Sequence, residues 1–252
     1  MSRRRKSMPT TPVTCEIESL SHEGRGVAHK DGKTLFVDGG LPGETVTARY
    51  INSKRKYDEL AVDSVLNPHP QRVDPPCSHA HICGGCSMQH VDLKFQIEHK
   101  QQVLLNHLHH FGAQTPEEIA PPLSSDGQGY RTKARLGVRY VTKRDEVLVG
   151  FRERFSNFLT AIDSCPVLVD PVGQRIQALK DLVRSLSCYQ RIPQIEVASG
   201  DNVCALIVRH MDPLNDEDKA KLVAFSQKTG LALYLQPKGP DTVSFAIRAL
   251  RK

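Results

Sequence analysis

No apolar run in this 252-residue chain is long enough to cross a bilayer; the longest, such as residues 203–208, fall far short. No apolar run follows the N-terminal Met1-Ser-Arg-Arg-Arg-Lys either, so the start does not read as a secretory signal. Internal repeats and low-complexity blocks are also missing. These absences describe a cytoplasmic protein. In that compartment seven cysteines, an odd number, argue against a disulfide framework and for metal binding. Apolar residues make up 39% and charged residues 25%, ordinary for a chain that folds as one large domain or two small ones.

A net charge of +6 points to a polyanionic partner. Part of it sits in Arg3, Arg4, Arg5 and Lys6, which also read as a solubilising tail. A local concentration says more. Within residues 127–160, Arg131, Lys133, Arg135, Arg139, Lys143, Arg144, Arg152 and Arg154 face only Asp145, Glu146 and Glu153.

Residues 1–11 are polar and basic and are expected to be disordered. Five short β-type runs follow, at 13–20, 26–29, 34–37, 45–52 and 59–66, punctuated by Gly24, Gly26, Gly32, Gly39, Gly40 and Gly43. Their number and spacing predict a small OB-like barrel over residues 12–67. Residues 68–112 read as a proline-stiffened cysteine segment and a helix that Asp92 caps and Gly112 stops. Residues 113–252 open with a loop and continue as an α+β domain. Its strands are expected at 130–141, 146–152, 194–199, 203–210 and 231–236, with helices near 172–187 and 216–229. The expected fold class is therefore α+β.

The chemistry concentrates in Cys77-x5-Cys83-Gly-Gly-Cys86 and the distant Cys165-Pro166. Two thiolates in a CxxC pair reach one metal from a single turn, and glycines between them let backbone N–H groups face the sulfurs. Four thiolates suit zinc as well as iron, and His79, His81 and His90 offer imidazole substitutes. Spacing alone leaves zinc and iron–sulfur both open. Cys15, Cys188 and Cys204 sit in apolar text and read as small core residues.

Several stretches together resemble a known family. They are His22-Glu-Gly-Arg25-Gly-Val-Ala, Leu35-Phe-Val-Asp-Gly-Gly-Leu-Pro-Gly-Glu44, the cysteine run with Gln89-His90, Gly129-Tyr-Arg-Thr-Lys133, Gly150-Phe-Arg-Glu-Arg and Asp163-Ser-Cys165-Pro. The chain is similar to the TRAM-domain, iron–sulfur RNA uracil-C5 methyltransferases, most closely the 23S ribosomal RNA enzymes of the RumA type. The resemblance runs from about residue 13 to 243. It implies that Cys77, Cys83, Cys86 and Cys165 hold a 4Fe–4S cluster serving structure and RNA binding. It also implies methyl transfer from S-adenosylmethionine to uracil C5, after a cysteine thiolate adds to C6 and before a base removes the C5 proton. In the family those steps belong to a Rossmann-like domain expected to begin near residue 250. No Gly-x-Gly text of the cofactor-loop type follows a strand here. No catalytic or S-adenosylmethionine-binding residue is carried over. The expectation is a chain truncated before that domain by a frameshift or premature stop, inactive alone, with likeness failing from Ser244 onward.

The expected partner is structured RNA, 23S ribosomal RNA in particular, with no membrane and no DNA. On a strand beginning at Tyr130, Arg131, Lys133, Arg135 and Arg139 share one face, a ladder of cations at phosphate-like spacing. The bland counterpart is a solvated sheet face. In the barrel, Arg25, Lys33 and the Lys54-Arg55-Lys56 loop are candidates to track phosphates, with Phe36 to stack on a base. Two other readings stand beside this one: a stand-alone metal-containing RNA-binding module, and an electron-transfer protein.

Overall fold

The computed structural model describes residues 8–247. Arg3, Arg4, Arg5 and Lys6 of the expected tail, and residues 248–252 of the expected break in likeness, lie outside the described residues. The chain divides into two compact units: the first holds the residues up to Pro76 together with Cys86–Ser124, the second Cys77–Gly85 together with the residues from Ser125 onward.

The first unit contains six strands: β1 (Val13–Glu16), β2 (Ser19–Leu20), β3 (Gly26–Lys30), β4 (Lys33–Asp38), β5 (Thr45–Ser53) and β6 (Tyr57–Val65). They form one sheet in the order β1-β5-β6-β4-β3-β2, antiparallel except for the parallel β4–β6 pair. Strand alternation explains its core. Leu35 and Val37 are buried on β4 while Phe36 between them is not, and Val46 and Ala48 repeat the pattern on β5. Val13, Ile17, Ala28 and Leu60 complete the cluster. The run at 13–20 is not one strand. Ile17 donates to Glu44 O at 2.8 Å and Glu18 donates to Val27 O at 2.8 Å, so the chain changes partner there. Its two halves consequently lie at opposite ends of the strand order.

Glu44 is fully buried, which would be costly for an unpaired carboxylate. Here Arg72 donates from Nε and Nη2 to its two oxygens at 2.6 Å each. The N–H groups of Leu41 and His69 add bonds at 2.8 and 2.9 Å. Burial pushes the Glu44 carboxyl up, but the Arg72 hydrogen bonds and the His69 and Leu41 amides outweigh it and hold the group below its ordinary value. The unit ends with α1 (Leu93–Gly112), where the Asp92 carboxylate accepts from the amides of Lys94 and Phe95. The left-handed position after this helix falls on Ala113, one residue past the expected glycine stop.

The second unit has β7 (Lys133–Val141), β8 (Glu146–Gly150), α2 (Asp170–Gly173), α3 (Ile176–Ser185), β9 (Gln194–Ser199), β10 (Cys204–Arg209), α4 (Asp216–Thr229), β11 (Ala232–Gln236) and β12 (Ser244–Ile247). The sheet order is β12-β11-β10-β9-β7-β8. The β10–β11 pair is parallel because α4 carries the chain back across the sheet between them. An Asn215/Asp218 capping box starts α4 and Gly230 closes it at φ 74°. Ile176, Leu179, Leu182 and Val183 form the buried stripe of α3.

The expected fold class is corrected by these observations. In place of a five-stranded OB-like barrel, a separate cysteine segment and an α+β domain, the described residues form two six-stranded mixed sheets with four α-helices. One physical reason is the change of partner at Ile17 and Glu18, which divides one apolar run into two strands. Another is that residues 77–85 bond into the second unit while the residues from Cys86 group with the first.

Replacing Arg72 with alanine leaves the Glu44 carboxylate buried without its main partner. The expected cost to the first unit is about 3–5 kcal/mol at neutral pH. Because the folded carboxyl is held below its unfolded value, wild-type stabilisation is present above the unfolded pKa and is lost as pH falls through the folded one. In the variant the Leu41 and His69 amides remain but Arg72 no longer offsets burial, so the carboxyl protonates more readily and the loss shrinks on acidification. Urea unfolding at neutral and mildly acid pH reads both effects; equal stability of the two proteins at neutral pH would show the pair to be dispensable.

Candidate nucleic-acid interface

Strand β7 alternates as its residues require. Leu136 and Val138 are buried, and Lys133, Arg135 and Arg139 are exposed on the other face. The cations differ in what they touch. Arg135 pairs with Glu196 at 3.0 Å, its neighbour across the β7–β9 ladder. Lys133 and Arg139 make no ion pair among the described residues, a distribution that composition could not reveal. Arg131 lies just before the strand and is partly buried: its Nη2 donates to Gly85 O at 2.8 Å and its guanidinium lies 5.4 Å from the Phe151 ring centroid.

Gly137 lies on the same face as these cations, and its missing side chain leaves a slot. A Cβ there would come within 2.6 Å of a Leu159 methyl. Leu159 belongs to a hairpin that follows β8, in which Thr160 donates to Phe151 O at 2.9 Å and Glu153 to Phe158 O at 3.0 Å. Arg152 and Leu159 form an antiparallel bridge. The hairpin thereby rests on the basic face of β7 and exposes Phe155 and Phe158.

The cysteine loop is bonded to the outer edge of this hairpin. Gly84 donates to Arg152 O at 2.8 Å, Arg154 donates to Ile82 O at 3.0 Å, and Cys83 bridges Glu153. A Cβ on Gly84 would sit 2.9 Å from the Arg152 carbonyl oxygen, so the approach depends on glycine. The Gly85 amide donates to Cys83 Sγ at 3.4 Å. Cys83 and Cys165 are buried, and Cys77 and Cys86 are half-buried. Cys165 is tied by its amide to Gly173 O at 2.9 Å. His79 accepts from the Asp163 amide at 3.3 Å, and Lys180, bonded to Asp163 at 2.9 Å, holds that carboxyl below its ordinary value. Among the described residues, no three or more His, Cys, Asp or Glu side chains are grouped closely enough to hold a metal ion.

In the first unit the Phe36 ring meets Tyr57 edge-on at 5.6 Å, and the Arg25 guanidinium lies 5.2 Å from the Phe36 centroid. Arg25 also pairs with Glu59 at 3.1 Å and with Glu23. Lys54, Arg55 and Lys56 are exposed in the turn between β5 and β6, closed by a 2.9 Å bond from Lys54 N to Tyr57 O. Lys33 is engaged with Asp58 at 2.6 Å. Phe36 is thus a surface ring beside a cationic turn.

Sequence reading missed Tyr57, the slot at Gly137 and the hairpin bearing Phe155 and Phe158. The spacing of Phe151, Phe155 and Phe158 among arginines was the available signal, but nothing in it shows that the rings stay outside.

Residues 6–58 match the TRAM domain family. The chain is 73% identical to the 23S rRNA (uracil(1939)-C(5))-methyltransferase RlmD of Hahella chejuensis, over 97% of this chain and 55% of that protein. It is 48% identical to the enzyme of the same name from Alcanivorax borkumensis, over 96% of this chain and 55% of the relative. The Nitrosococcus oceani enzyme of that name is 50% identical, over 95% and 54%. The chain thus spans about half the length of the curated relatives it matches. Its fold is similar to that of the Pyrococcus abyssi tRNA (uracil-54, C5)-methyltransferase solved in complex with S-adenosyl-L-homocysteine. That match has a TM-score of 0.63 at 19% identity and covers 92% of this chain and 53% of the other. These coverages overturn two expectations. Likeness runs over 97% of the chain, which removes the ground for a broken or prematurely stopped frame. The expected fold class gives way to the two six-stranded sheets described above, whose fold is similar to that of the Pyrococcus abyssi protein over 92% of this chain and 53% of the other.

Gly84→Ala tests the link between cysteine loop and hairpin. The added methyl must displace the Arg152 carbonyl, with an expected cost of about 1–3 kcal/mol to the second unit. Amide exchange should accelerate at Gly84 and Arg154, the two donors of the link. Unaltered melting and exchange would show that the loop does not need this contact.

Proposed function

We propose that this chain belongs to the TRAM-bearing RNA uracil-C5 methyltransferase family and that its described residues recognise 23S ribosomal RNA for S-adenosylmethionine-dependent methylation at a uracil C5. The target is the uracil at position 1939 that its relatives' names specify. The observation that carries the RNA reading is the basic face of β7, where Lys133 and Arg139 remain unpaired above a neutral, buried opposite face. A solvated face has no need of so one-sided a charge, and phosphates bind such cations with release of counterions. Arg135 joins them when RNA competes for its exposed pair with Glu196, since surface pairs of this kind contribute little. Arg131 contributes through its hold on the cysteine loop as well as its charge. Arg25, Lys54, Arg55 and Lys56 follow backbone phosphates in the first unit, and Phe36 offers a ring to a base.

The working division is residues 12–67 as the TRAM part, 68–112 as cysteine segment and helix, and 113–252 as the RNA-binding part that carries the fourth cysteine. No residue named here is assigned to the methyl-transfer step, for which S-adenosylmethionine supplies the methyl group. No helix among the described residues is long and apolar enough to cross a membrane. A ribosomal RNA substrate places the protein in the cytoplasm, with no role on DNA.

Cys77, Cys83, Cys86 and Cys165 are the proposed ligands of a 4Fe–4S cluster. What supports the set is its chemistry: four cysteine sulfurs, with an amide donating to that of Cys83 as cluster thiolates require. The cluster would supply structural support to the RNA-binding face.

Two measurements bear on this function. Log affinity for structured 23S fragments should fall linearly with log salt, and Lys133→Ala with Arg139→Ala should lower the slope by about one unit per lost phosphate contact. An unchanged slope removes β7 from the interface. Protein purified anaerobically should be brown and contain iron and acid-labile sulfide; stoichiometric zinc without sulfide would reject the cluster.

A further inference from the structure

Residues 151–160 form a small arm whose properties go beyond a cationic surface. Its backbone is closed by the Glu153–Phe158 and Thr160–Phe151 bonds at 3.0 and 2.9 Å. At its tip the Ser156 hydroxyl donates to the Glu153 carboxylate at 2.5 Å and accepts from the Phe158 amide at 3.0 Å. This geometry is ordered by its own bonds, yet it presents two large apolar rings to solvent: Phe155 is 46% exposed and Phe158 66% exposed. Rings that serve a core turn inward, and a turn needing only solubility carries polar residues at its tip. The arm is held at both sides. Leu159 occupies the slot over Gly137 on the basic face of β7, and the cysteine loop bonds to Arg152 and Arg154 on the other strand of the arm.

We infer that this arm is a stacking platform for unpaired RNA bases, with Phe155 and Phe158 as its stacking rings; the inference rests on the RNA reading given above. The chemistry selects this occupant. Leu159 anchors the arm on Gly137, which lies between Lys133 and Arg139 on the basic face of β7, and Arg152 is exposed at the arm's base. Exposed rings on an arm anchored to a strand of unneutralised cations match a single strand, which offers phosphates and accessible base faces together. A duplex offers phosphates but keeps its base faces stacked. Because the arm is already ordered, stacking sacrifices little conformational freedom. The cysteine loop acts as its positioning element, bonded to main chain and touching no RNA in this account.

The test uses the full chain, a single-stranded RNA carrying 2-aminopurine, and a blunt duplex of the same sequence. Phe155→Ala with Phe158→Ala should weaken single-strand binding about tenfold or more and abolish stacking-induced fluorescence quenching, while duplex binding stays unchanged. The salt slope should match that of the parent, since no cation is lost. Phe155→Tyr with Phe158→Tyr should restore affinity and quenching, which a loss caused by misfolding would not do. Parental affinity and quenching in the alanine variant would overturn the platform, leave the phosphate-binding face intact, and turn attention to a protein partner for the rings. Failure of the parent to bind any RNA in a salt-dependent way would overturn the RNA reading and the platform with it.

Discussion

The hydrogen bond from Gly84 to the Arg152 carbonyl joins two stretches that lie far apart in the chain, and it forms only because no Cβ stands between them. Much of the second unit's proposed surface depends on that approach. Through it the cysteine loop supports one strand of the Phe155/Phe158 arm, while Arg131 reaches the next carbonyl, Gly85 O, and stacks on Phe151. The other strand of the arm is set by a second missing side chain, at Gly137. Two glycines therefore determine where two phenylalanines stand. Neither does so through its conformational freedom in a turn; both act by leaving room for a neighbour.

Charge on the surface sorts in a related way. The cations that tertiary contacts employ, Arg72 on Glu44 and Arg131 on Gly85, have traded solvent for fixed acceptors. Arg25 and Arg135 keep carboxylate partners at the surface, where such pairs contribute roughly 0–1 kcal/mol and yield readily to a phosphate. Lys133, Arg139 and the turn at Lys54–Lys56 stay open to solvent. A polyanion thus meets a graded surface, with open cations first and exchangeable ones beside them. Each unit also carries aromatic rings: Phe36 with Tyr57 and Arg25 in the first, and the exposed Phe155 and Phe158 in the second.

The cysteine motif has a double part in this arrangement. Its glycines give the loop its contact with the arm, and the amide of Gly85 faces the Cys83 sulfur. The same two residues thereby serve the packing of the proposed RNA-binding face and the thiolate environment that a cluster would need. Loss of the proposed cluster is expected to act on the proposed RNA binding through the arm's position.

Much was legible in the residues themselves. The alternation of Lys133, Arg135 and Arg139 with Leu136 and Val138 follows from the two-residue period of a strand, and α4 follows from its Asn215 cap and Gly230 stop. These are local rules, and local text is enough to apply them. The division of the run at 13–20 was not legible, because it depends on Glu44 and Val27 each claiming one half of an apolar stretch. The fold class failed for that reason and because the cysteine run divides between units. Nor could spacing tell that Arg131 turns to a carbonyl while Lys133 stays in solvent, since identical charges acquire different roles only from what folds against them. By itself the sequence determined the strand faces, the caps and the supply of thiols and cations. Tertiary structure decided which cations remain open and which rings stay outside, because both depend on space left or filled by residues distant in the chain.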